Sequence, residues 1–100
     1  MPRTIALTWE VSDEPYPDLD VNPGDMIFFN YTSNHNVRRF QNEEAHDNCE
    51  FSGRWISPEG ELDGPTSFVV AEEEGETIYV GCSVEDHCEN GNMKLIINVI

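Results

Sequence analysis

The residues best equipped for chemistry lie near the end of the chain. The stretch GCSVEDHCENGNMK, residues 81–94, carries two cysteines, one histidine and one methionine, in a chain that has only three of each. Thiolate, imidazole and thioether are soft or borderline ligands for transition metals. Cys82 and Cys88 could instead close a disulfide across the loop. The bland alternative is a polar loop with no function. An odd cysteine count leaves one thiol over after any single disulfide, which hints that one cysteine has a separate task. A second cluster, SNHNV at 33–37, offers His35.

The elements that must position these groups read as β throughout. TIALTWEV (4–11) alternates, with Ile5, Leu7, Trp9 and Val11 on one face. NPGD (22–25) is a turn signal, and MIFFNY (26–31) reads as a strand buried on both sides. NVRRF (36–40) suggests a short strand, and NEEAHDNC (42–49) has room for one helical turn. Residues 57–65 form a loop rich in Pro, Gly and acid. TSFVVA (66–71), a charged turn and TIYVGC (77–82) read as a hairpin, and MKLIINVI (93–100) as the last strand. About seven short strands with turns between them predict an all-β sandwich. Trp9, Phe28, Tyr31, Trp55, Phe68 and Tyr79 are expected to build the core, and His46 is expected on the solvated surface.

If strand 77–82 ends at one pole of a sandwich, the next strand must begin there. Cys82, His87 and Met93 then gather at that pole, and His35 lies just past strand 26–31. One thiolate, two imidazoles and a weak axial thioether form the ligand set of a blue-copper electron-transfer site. The same Cys and two His would also bind zinc.

The bulk numbers narrow the partners. Twenty Asp and Glu against five Lys and Arg give a formal charge of −15, which repels nucleic acid and suits a basic protein partner or simple solubility. One hundred residues are expected to form one domain, 1–100. No apolar run reaches the length of a transmembrane helix, and MPRTIALTWE lacks the apolar core of a signal peptide.

Several motifs, taken in order, resemble one family. VNPGDMIFFNY, the HNV that holds His35, Cys49, and YVGCSVEDHCENGNMKLIINV resemble the cupredoxins, and within them the phytocyanins (the stellacyanin, plantacyanin and uclacyanin branch), over residues 19–100. The resemblance implies a cupredoxin-like Greek-key β-sandwich with one short helical turn. It implies one type 1 copper ion, held by His35, Cys82 and His87. It also implies a Cys49–Cys88 disulfide beside the metal, a crosslink worth about 2–4 kcal/mol, leaving Cys82 free. Asn36 matches a residue whose backbone amide points at the cysteine sulfur and whose side chain ties the ligand loops. His87 matches the family's electron port.

The chain departs from the pattern in three places. GNMK contains one residue more than expected, so the axial position falls on Met93 when aligned from Lys94, or on Asn92 when aligned from His87. Met93 is preferred because thioether suits copper. Glu85 and Asp86 replace the usual Pro-Gly and should favour Cu(II). The segment VSDEPYPDLDV is shortened and poor in aromatics.

The expected function is single-electron transfer by Cu(II)/Cu(I) cycling between redox partner proteins. The alternative is a non-redox cupredoxin-like domain for copper sequestration, adhesion or signalling. Catalysis is not expected, because Cys82 is flanked by Gly81 and Ser83 rather than histidines, and His46 alone cannot build a second cluster. A monomer is expected, in an extracellular, periplasmic or other oxidising compartment. Asn30-Tyr31-Thr32 fits a glycosylation sequon.

Overall fold

The computed structural model describes residues 2–100. Among them run seven strands: β1 (Thr4–Thr8), β2 (Leu19–Val21), β3 (Met26–Asn30), β4 (Arg38–Arg39), β5 (Thr66–Val69), β6 (Thr77–Gly81) and β7 (Lys94–Val99). One helical turn, α1 (Glu43–Asp47), follows β4. Its N-cap is Asn42, whose side chain accepts from the Ala45 N–H. The strands form a three-stranded sheet, β1-β3-β5, and a four-stranded sheet, β2-β7-β6-β4. In each sheet the early strand joins in parallel, β1 on β3 and β2 on β7.

The period-two pattern fills the space between the sheets. Ile27 and Phe29 of β3, Ile78 and Val80 of β6, and Leu95, Ile97 and Val99 of β7 are buried, while the residues between them along each strand are more open. Side chains of this kind, fully removed from water, contribute about 1.5–3 kcal/mol each. Strand β3 is therefore buried on one face, not two: Met26 and Phe28 are half-buried and Asn30 is exposed. Trp9 and Tyr31 lie in the core as expected, but Phe28, Trp55, Phe68 and Tyr79 are only half-buried, and Phe29 and Phe40 take the deep positions.

Two further expectations are corrected. β5 and β6 are not hairpin partners: β5 pairs with β3, and β6 pairs with β4 and β7 in the other sheet. The turn between them is bonded to β7 instead, with Gly75 N–H donating to Val99 O and Val99 N–H to Glu76 O. Its backbone groups are thus satisfied without a facing strand. Val11, expected inward, is 50% exposed. β1 ends at Thr8, and beyond Trp9 the chain turns toward residues 81–94, where Ser12 N–H donates to Gly91 O.

The start of the sandwich is fastened by Asp25. In the 22–25 turn, Pro23 precedes Gly24, whose φ of 89° only glycine adopts readily. Asp25 is buried and accepts from the backbone N–H groups of Arg3 and Asn22 and from the Arg3 guanidinium. These bonds hold its carboxyl below the usual carboxylate range, the two backbone donors first.

Candidate metal centre

At the pole where β3 and β6 end, three side chains converge. His35 is carried by the loop after β3, where Asn34 takes a left-handed φ of 64° and His35 N–H donates to Leu62 O. Cys82 directly follows β6, is 0% exposed, and donates its N–H to Met93 O. His87 lies on the turn that follows, its N–H bonded to Val84 O. His35 Nδ1 is 3.3 Å from His87 Nδ1, and Cys82 Sγ is 3.6 Å from the same nitrogen. All three donor atoms lie within 4.8 Å of one another.

That spacing suits a single ion. A first-row metal about 2.0 Å from nitrogen and about 2.3 Å from sulfur, with angles near 110–120°, needs its donors about 3.3–3.7 Å apart. Burial pushes the Cys82 thiol up, and the backbone N–H groups of Asn36 and Val84 pull it part of the way back. Burial also lowers His35, helped by repulsion from His87 and opposed by Glu10. Both shifts disfavour charge on these groups, so a metal bound there would release a proton from the thiol.

The surroundings lock the loops together. Asn36 is buried, its Nδ2 donates to Ser83 Oγ at 2.9 Å, and its Oδ1 accepts the Ser83 N–H at 2.8 Å. Its carbonyl accepts from Trp9 Nε1 at 2.9 Å. One side chain thus ties the His35 loop to the Cys82 loop. Cys49 and Cys88 form the expected disulfide, with Cα atoms 6.0 Å apart, and Cys82 is the free thiol.

Near the extra residue, Asn92 takes a left-handed φ of 56° and donates Nδ2 to Ser12 O at 2.9 Å. Met93 is 0% exposed, its N–H bonded to His87 O and its carbonyl to the Cys82 N–H. Gly91 has no room for a side chain, since a Cβ there would lie 2.5 Å from His87 O.

His46 lies elsewhere, and it is not on the surface. It is 6% exposed, with ring centres 5.5 Å from Phe40 and 5.6 Å from Tyr79. Lys94 Nζ donates to the carbonyls of His46 and Asp47, drawing α1 onto the sheet. Sequence reasoning missed Arg38, whose Nη1 donates to Ser83 Oγ at 3.3 Å. It also missed the Trp9 bond to Asn36. Neither has a local signal, because each partner is distant in the chain.

Comparisons with known proteins agree with this architecture. A family model described as a plastocyanin-like domain matches residues 19–92. The structure is similar to cucumber stellacyanin with Cu2+, at 27% identity and a TM-score of 0.77, covering 100% of this chain and 97% of that one. It shares its fold with spinach plantacyanin, at 24% identity and a TM-score of 0.68, covering 97% and 99% of the two chains. Cucumber basic protein, a blue copper protein, has the same fold at 23% identity and a TM-score of 0.58, covering 90% and 81%. No curated protein matches the sequence. With a family model spanning most of its length and a Cys-His-His pole on a seven-stranded sandwich, the chain belongs to the plastocyanin-like domain family and has the cupredoxin fold.

Proposed function

We propose that this chain acts as one domain that carries single electrons, with one copper ion cycling between Cu(II) and Cu(I) at His35, Cys82 and His87. The carrying observation is the convergence of a buried thiol and two imidazoles at one ion's spacing. Bound there, copper would supply a one-electron couple with a strong thiolate bond. The chain's own part is to hold the donors still. Asn36 fixes two loops, the disulfide fixes the third, and Cys82 is shut away from water.

Met93 would be the fourth residue to hold the copper in this reading. Its burial and its main-chain bonds to Cys82 and His87 support it, while the Asn92 amide is engaged by Ser12 and its left-handed backbone absorbs the extra residue. Electron exchange runs through His87, which is half-buried, with exposed Glu85, Asp86 and Glu89 around it. Val11 and Leu62, 50% and 42% exposed, flank this pole and suit an apolar contact inside an acidic rim. The partner is then a redox protein with a basic docking face. The disulfide suits an extracellular, periplasmic or similarly oxidising compartment, and Gly81 and Ser83 beside Cys82 favour a carrier over an enzyme.

The test is optical. Cu(II) added to metal-free protein should give an intense thiolate-to-copper band and a small-hyperfine EPR signal. Cys82→Ser should abolish both, and Met93→Leu should keep the colour and shift the potential. Colourless protein that retains a titratable Cys82 thiol after copper addition would sink the reading.

A further inference from the structure

The chain has five cationic side chains against twenty acidic ones. Arg3 and Arg39 meet carboxylates, on Asp25 and Glu72. Lys94 is engaged by the α1 carbonyls, and Arg54 is exposed. Arg38 is different. It is half-buried on β4, with its guanidinium carbon 4.4 Å from the centre of the Trp55 ring and 5.3 Å from that of Phe51. Its hydrogen bonds go to Ser83 Oγ and the Ser52 carbonyl, and its Nε is buried without a partner. Two ring faces and two neutral oxygens hold this charge in place. None of them cancels it.

We infer that Arg38 is a positioning residue that tunes the redox centre: a fixed positive charge, bonded to the residue next to Cys82, that raises the Cu(II)/Cu(I) potential. The inference rests on the copper reading above. A site with one thiolate bears one net positive charge with Cu(II) and none with Cu(I). A neighbouring cation therefore repels the oxidised state more and favours uptake of the electron. Partial burial limits its screening by salt. Arg38 also opposes the pull of Glu85 and Asp86 toward Cu(II). Its bond to Ser83 Oγ shares an acceptor with Asn36 Nδ2, so the charge is held by the same clamp that joins the ligand loops.

The experiment is electrochemistry on the copper-loaded full chain, the electrode supplying one electron per copper, with absorption and EPR spectra taken in parallel. Arg38→Gln should lower the midpoint potential while the thiolate-to-copper band and hyperfine splitting stay in place. Arg38→Lys, which keeps the charge, should retain most of the wild-type potential. Arg38→Met is a second neutral variant whose apolar stem remains between the rings, for use if Arg38→Gln folds poorly. A blue wild type whose neutral variants show an unmoved potential overturns the inference alone. So does a Lys variant that shifts as far as the Gln one, since hydrogen-bond geometry rather than charge would then be responsible. A wild type that takes up copper without the band overturns the copper reading, and this inference with it.

Discussion

Replacing Asn36 with alanine should loosen two ligand loops at once. The side chain makes two hydrogen bonds to Ser83, at 2.9 and 2.8 Å, from a position only 2% exposed. Two such bonds are worth about 1 kcal/mol each, and leaving the part-buried Ser83 N–H without a partner raises the cost. The sum is about 2–3 kcal/mol, which for a chain of this size is a fall in Tm of about 10–20 °C. The backbone of residue 36 is untouched, so its carbonyl still accepts from Trp9. Asn36→Asp keeps the acceptor for the Ser83 N–H but loses the donor to Ser83 Oγ, and should fall between. Urea unfolding of metal-free protein gives the total, and a double-mutant cycle with Ser83→Ala isolates the Nδ2–Oγ bond, since the Ser83 N–H survives that substitution. The copper-loaded Asn36→Ala protein should also show a broadened or shifted thiolate band. Equal urea midpoints for wild type and Asn36→Ala, or a coupling energy of zero, would refute the reasoning.

Other outcomes follow from particular contacts. Converting both Cys49 and Cys88 to serine opens a crosslink across a sequence separation of 39, and should cost about 4 kcal/mol in chemical denaturation. Gly91→Ala drives a Cβ against His87 O, at 2.5 Å, and should displace the His87 carbonyl, weakening copper retention against a chelator. Asp25 has a folded pKa below its unfolded one, so the unfolded state binds the extra proton. Its stabilisation is complete above the unfolded value, about 3.9, and disappears as pH falls through the folded value. Asp25→Asn should therefore be less stable near neutrality and show a flatter acid limb, measured by denaturation from pH 6 to pH 2.

What the sequence disclosed and what it hid divide along physical lines. The convergence of Cys82, His87 and His35 was legible because strand ends fix which loops meet, and few other side chains offer soft donors. The free thiol and the Cys49–Cys88 bond were legible from the family motif. The partners of β5 and β6 were not, because a charged turn between two strands reads the same whether they pair or part to opposite sheets. The bonds that decide it come from Val99, far along the chain. In MIFF, four apolar residues carry no parity, so nothing local puts Phe29 inside and Phe28 half out. His46 sits among acids and asparagines, yet Phe40, Tyr79 and Lys94 bury it from a distance. Arg38 reads as a surface charge until Trp55 and Phe51 are seen against it.

The pairing of β7 with β6 and β2 also bears on how the protein is made. The main chain of Met93 joins Cys82 to His87, and β7 begins at the next residue. On a ribosome, His35 is made long before Cys82, His87 and Met93, so the centre waits on residues 82–93. Of the seven described strands, β7 is the last in chain order. Assembly of the centre therefore waits for β7, and a chain cut short before residue 94 would carry its proposed ligands with no strand to seat them.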